Sequence, residues 1–137
     1  MKIKVPTVEN IIQTNKFVCS EKGQSSKLLD RGKIESALST AFYPGSEPFE
    51  NGGVARLAGA LCFYLTKAHA FLDGNKRTAT LSAVLFMNAN GWDLIYPEND
   101  EEEFTELAKV INQATASEIS KDQLIDWFEL HKKPFVE

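Results

Sequence analysis

Apolar residues recur at helical spacing along almost the whole chain, and strict alternation is scarce. Thr7 has the character of an N-cap, and Val8, Ile11, Ile12, Asn15, Val18 and Cys19 follow at helical spacing. Glu21 to Ser26 is polar and contains a glycine, which predicts a loop. Asp30 is placed to cap a second helix with Ile34, Ala37, Leu38 and Ala41 inward. Val54, Leu57, Ala58, Leu61, Leu65 and Ala68 form the next stripe, and Ala55, Ala60, Cys62 and Phe63 fill its other faces. A helix that is apolar nearly all round belongs at the centre of a fold. Thr78 to Asn90 reads as a further helix, with Ala79, Ala83, Val84, Phe86 and Met87 inward and Gly91 at C′. Leu94 to Tyr96 is at most a short strand before Pro97. Asp100 with Glu103, and Ser120 with Gln123, have capping spacing. They introduce helices carrying Phe104, Leu107, Ala108 and Ile111, and then Leu124, Trp127, Phe128 and His131. The pattern predicts an all-α bundle of about six helices.

One stretch breaks this rhythm. Tyr43 to Gly53 contains Pro44, Gly45, Pro48, Gly52 and Gly53, which a regular helix does not accommodate. It predicts a turn-rich excursion before the central helix, with scope for a short hairpin. Exposed excursions of this kind often carry recognition.

A length of 137 residues suits one domain, residues 1–137, around one core. With 43% hydrophobic and 25% charged residues the composition is that of a globular protein. No apolar run has the length of a membrane span, and the start of the chain is too short and broken for a signal peptide, so a cytoplasmic location is expected. A net charge of −4 argues against non-specific nucleic-acid binding but leaves room for a small basic pocket. Cys19 and Cys62 sit in apolar stripes without a metal-ligand partner nearby, and read as small buried hydrophobes.

The chemistry concentrates in His69-Ala70-Phe71-Leu72-Asp73-Gly74-Asn75-Lys76-Arg77-Thr78, a link between two core helices. His69 can act as a general base toward a hydroxyl, or simply cap carbonyls at a helix end. Phe71 reads as an inward anchor. Asp73 suits a Mg²⁺ site that uses one carboxylate and phosphate oxygens, or an N-cap for the next helix. Gly74 and Asn75 place free backbone N–H groups at a helix start, where an anion binds, and Asn75 can add a side-chain donor. Lys76 and Arg77 put positive charge on the same end. That opposes the helix dipole unless a polyphosphate compensates, the alternative being that both extend into solvent. His131 reads as a packing or surface residue.

At these residues the chain resembles the Fic/Doc family, whose signature runs His-x-Phe-x-Asp/Glu-Gly/Ala-Asn-Gly/Lys-Arg. His69, Phe71, Asp73, Gly74, Asn75, Lys76 and Arg77 fit it. The segment from Asp30 to Leu38 also resembles the one that precedes the excursion in Doc-type members. The resemblance implies a Fic-fold bundle with a short flap before the central helix, and a loop that binds ATP and Mg²⁺. It implies His69 as the catalytic base, Asp73 as the metal ligand, and Gly74, Asn75, Lys76 and Arg77 as nucleotide-phosphate binders. Tyr43, Gly45, Ser46, Phe49 and Asn51 fall where the family's substrate-aligning flap lies. Ser46 to Asn51 also matches the family's autoinhibitory pattern formally, but Pro48 interrupts the helix that pattern normally occupies.

Most Fic proteins transfer AMP to a target hydroxyl. The Doc branch transfers the γ-phosphate instead, to a threonine of elongation factor Tu, and translation stalls. Where AMP-transferring members have a second glycine this chain has Lys76, and where they have a second arginine it has Thr80. Both changes follow the Doc pattern, whereas Gly74 is the Fic-like choice beside the alanine of the best-known Doc motif. The resemblance therefore implies a Doc-like kinase toxin, with a Phd-like antitoxin as partner and neither nucleic acid nor membrane. An AMP-transferase and a catalytically silent Fic-fold binding module are the alternatives.

Overall fold

The computed structural model describes residues 2–45, 52–95 and 106–136. Its helices are α1 Val8–Glu21, α2 Arg31–Phe42, α3 Val54–Ala68, α4 Asn75–Ala89, α5 Glu106–Thr115 and α6 Lys121–Leu130. The architecture is the all-α bundle that the apolar spacing predicts.

α3 is the central rod. Leu57, Ala58, Ala60, Leu61 and Cys62 are fully buried, and α2, α4 and α6 pack around it. α6 comes so close that a β-carbon on Gly59 would meet the Ile125 Cα at 2.8 Å, so only glycine permits this crossing. Phe42 of α2 meets Phe86 of α4 edge to face, with centroids 5.1 Å apart. Burial pushes the Cys62 thiol up to about 12, and both cysteines are buried and free, as expected of small core residues.

Local sequence sets most helix starts. Thr7 and Ser120 each close a capping box, with Asn10 and Gln123 respectively, and Asp30 accepts from the Gly32 N–H. The extended residues before α1 are held to the end of α4 by Asn90. Its Oδ1 accepts from the Lys4 N–H at 2.8 Å, and its Nδ2 donates to the Lys4 carbonyl at 3.0 Å.

Two boundaries differ from the sequence reading. α4 begins at Asn75 rather than Thr78, because Gly74 supplies a left-handed N-cap. The short strand is β1, Trp92–Leu94, rather than Leu94 to Tyr96, and it pairs antiparallel with β2, Lys132–Pro134, near the end of the chain. Asp100, Glu103 and Phe104 lie outside the described residues, as do Ser46, Phe49 and Asn51 of the expected flap and the autoinhibitory match. Among the described residues no helix is long and apolar enough to cross a membrane.

Candidate active site

α3 ends on His69, which adopts a left-handed conformation at φ 51 and ψ 46. A non-glycine residue there carries a modest backbone cost that the surroundings must enforce. They do so from two sides. Ala70 and Phe71 are buried behind it, so Phe71 is the anchor that the sequence suggests. The segment before α2 lies alongside: Leu29 N–H donates to the Ala70 carbonyl at 2.8 Å, and Leu72 N–H to the Lys27 carbonyl at 2.9 Å. Phe71 and Leu28 form a β-bridge. The His69 side chain itself is exposed.

The turn into α4 is fixed by Asn75. Its Oδ1 accepts from the Phe71 N–H at 3.1 Å, and its Nδ2 donates to the Phe71 carbonyl at 2.8 Å. The side-chain amide expected to face an anion therefore closes the loop instead. One Nδ2 hydrogen and the backbone N–H at the first position of α4 make no hydrogen bond among the described residues.

Gly74 has φ 78, and a β-carbon there would sit 3.2 Å from Asn15 Nδ2, 3.2 Å from Cys19 Sγ and 3.3 Å from Val18 Cγ2. The conformation favours glycine, and the tight packing adds to that preference. No side chain caps α4, so Asp73 is not the N-cap that was its structural alternative. No acidic residue lies in the first turn, and the first backbone bond of the helix runs from Thr78 N–H to the Gly74 carbonyl. The N–H groups of Asn75, Lys76 and Arg77 are thus left without an intrahelical acceptor.

The two cations behave differently. Arg77 Nη1 donates to the Val18 carbonyl at 2.6 Å, and Nη2 to Gln24 Oε1. Arg77 is a strut between α4 and the end of α1. The Lys76 ammonium is exposed and has no hydrogen-bonding or ionic partner among the described residues. Thr80, at the position of the second family arginine, donates its hydroxyl to the Lys76 carbonyl at 2.8 Å.

His69, Asp73, Gly74, Lys76 and Arg77 line one open cleft of about 390 Å³, which Thr66 and Thr115 also line. The Asp73 carboxylate is half-buried and accepts no hydrogen bond from any described residue. A base, an unclaimed carboxylate, an uncapped helix start and a free ammonium therefore face one space. Among the described residues no three His, Cys, Asp or Glu side chains converge, so a metal here would share a single carboxylate with ligand oxygens. A cavity of about 400 Å³ between α1, α4 and the N-terminal residues combines apolar side chains such as Ile11, Leu85 and Phe86 with Lys4 and four neutral polar residues, and no described histidine or carboxylate lines it.

Tyr43 and Gly45 follow α2 and are exposed, and neither lines the cleft. His131 is a packing residue: its ring stacks on Trp127 with centroids 4.0 Å apart, and Nδ1 lies 2.7 Å from the Trp127 carbonyl. The residue that the motif did not reveal is Asn15, fully buried on α1, which bonds the Asp73 carbonyl and Thr78 from beneath. An amide on the apolar stripe of a helix was the available signal.

A family model described as the Fic/DOC family matches residues 7–87, from the cap of α1 through most of α4. No curated protein matches the chain.

Proposed function

The chain belongs to the Fic/DOC family, and from that premise we propose that it is a Doc-like protein kinase that moves the γ-phosphate of ATP to a Ser/Thr hydroxyl of a target protein. Members of the family transfer nucleotide or phosphate groups to proteins. The observation that supports the phosphate branch is the division of labour among the cations. Arg77 is tied to Val18 and Gln24, position 80 is a threonine bonded back to the helix, and Lys76 alone of the motif cations has no partner among the described residues. A point charge above uncapped N–H groups suits the end of a polyphosphate. A paired-arginine clamp, with its bidentate grip, is not what these residues offer.

Gly74 does not weigh against this branch. Its glycine is favoured by φ 78 and by contact with Asn15, Cys19 and Val18, whichever group is transferred.

In this reading the target hydroxyl loses its proton to the His69 imidazole as its oxygen bonds to the γ-phosphorus. The bond from that phosphorus to the β–γ bridging oxygen breaks, and ADP leaves. The α4 N–H groups and Lys76 hold the phosphate charge, and positioning with charge neutralisation supplies most of the acceleration. The unclaimed Asp73 carboxylate fits a Mg²⁺ ligand, and Mg²⁺ when bound there would neutralise phosphate charge. Tyr43 and Gly45, with the residues that follow, align the target segment. The expected target is elongation factor Tu, the expected neutraliser a Phd-like antitoxin, and the expected compartment the cytoplasm.

ATP labelled at either the γ or the α position, incubated with the protein and elongation factor Tu, separates the readings. Label from the γ position on the factor supports the kinase. Label from the α position establishes AMP transfer instead, and no label from either position contradicts the kinase with this target.

A further inference from the structure

We propose that Asn15, on α1, is the positioning residue of the active loop: it sets where the Asp73 carboxylate and the α4 N-terminus stand relative to His69. The proposal rests on the kinase reading for its kinetic consequence, but not for its structural one.

Asn15 is 0% exposed, and its amide is fully used. Nδ2 donates to the Asp73 carbonyl at 2.9 Å and to Thr78 Oγ1 at 3.1 Å. Oδ1 accepts from Ser26 Oγ at 2.6 Å, with the Cys19 thiol a weaker donor at 3.7 Å. The two Nδ2 bonds straddle Gly74, the N-cap of α4. One fixes the residue before it and the other the first turn after it. Ser26 orients the amide so that its donor side, not its oxygen, faces the loop.

Asn75 closes the turn on the Phe71 side and Arg77 ties the first turn of α4 to α1, but neither holds the Asp73 carbonyl. No side chain caps α4, and Gly74 has no β-carbon to limit its own dihedrals. The Asp73 carbonyl accepts only from Asn15 and weakly from Cys19 among the described residues. Removing the amide strands that carbonyl above a buried site, and the turn must move to find another donor. A displacement of about 1 Å at the reacting groups costs on the order of 10²-fold in rate.

Asn15→Leu keeps the branched shape and deletes every bond. Ser26→Ala, at an exposed position, deletes only the bond that orients the amide and serves if the buried variant does not fold. Two readouts are needed. The backbone amide resonances of Gly74 and Asn75, compared with those at the start of α6, report the turn directly and require no chemistry. Transfer of γ label to elongation factor Tu, per folded molecule, reports its consequence. Expected are shifted and broadened Gly74 and Asn75 signals in both variants, α6 signals unchanged, and a fall in kcat of about 10²-fold for Asn15→Leu. A smaller fall, about threefold to tenfold, is expected for Ser26→Ala. A purely structural role would lower the melting temperature and leave kcat per folded molecule alone. Wild-type Gly74 and Asn75 signals in the folded variants would overturn the proposal. So would moved signals with wild-type kcat. If the wild-type protein transfers no label, the kinase reading fails, and the amide signals still decide whether Asn15 sets the turn.

Discussion

The starts of α6 and α4 are opposite solutions to the same problem. Every helix begins with backbone N–H groups that have no intrahelical acceptor. At α6, Ser120 Oγ accepts from Gln123 N–H at 3.1 Å, Gln123 Oε1 accepts from Ser120 N–H at 2.7 Å, and Asp122 complements the helix dipole. At α4, a left-handed glycine offers no side chain, no carboxylate enters the first turn, and two cations follow. α3 also starts on a glycine without a side-chain cap, but the cation of its first turn, Arg56, is paired with Asp126 at 3.0 Å. The start of α6 is completed by its own side chains. On the kinase reading, the start of α4 is completed by the phosphate charge of the nucleotide. The cost is borne by the surrounding framework of Asn15, Asn75 and Arg77, which holds the open end in place.

The comparison can be broken most severely at the base. His69→Ala is expected to lower phosphate transfer by about 10²–10⁴-fold. The melting temperature should stay within error, because the ring is exposed and makes no hydrogen bond among the described residues. A folded His69→Ala protein that still transfers label at the wild-type rate would remove His69 from the mechanism. Gly74→Ala comes next. The left-handed backbone costs an L-residue about 1–2 kcal/mol, and crowding against Asn15, Cys19 and Val18 adds to it. Denaturant unfolding should show at least that loss, together with weaker nucleotide binding. An alanine tolerated without cost would mean that the turn is looser than described. Ser120→Ala should cost about 1 kcal/mol of stability and leave nucleotide binding untouched, since its bonds serve α6 alone. Lys76→Glu gives the smallest change in stability and the most discriminating pattern. Replacing a cation with an acid in the first turn should stabilise the free protein by about 0.3–1 kcal/mol, while binding of Mg-ATP is lost. A destabilised Lys76→Glu protein would contradict the view that the lysine is kept for a ligand at the expense of the helix.

The fold was legible where a few neighbouring residues decide it. The caps at Thr7, Asp30 and Ser120 are local chemistry, and the all-round apolar stripe of α3 announces its central place. β1 and β2 were not legible as a pair, because residues 92–94 and 132–134 are remote and too short for any period to develop. Within the site, residue types were readable and side-chain directions were not. His69 and Asp73 reach the same cleft, as the motif implies. Asn75 and Arg77 have the right chemistry for phosphate, yet their polar atoms are drawn to backbone carbonyls at Phe71 and Val18. Such competition depends on which carbonyls tertiary packing brings within reach. Asn15 was hidden for the related reason that its loop partners, Asp73 and Thr78, lie more than fifty residues away in the chain.

On the kinase reading, the open end of α4 is a seat for a nucleotide polyphosphate. The most direct measurement is a titration of the uniformly ¹⁵N-labelled protein with Mg²⁺ and a non-hydrolysable ATP analogue, following backbone amides. Saturable shifts at Gly74, Asn75, Lys76 and Arg77, with the capped starts of α1 and α6 unmoved, are the predicted result. Unmoved signals at these four residues at millimolar nucleotide, or shifts only elsewhere, would contradict it.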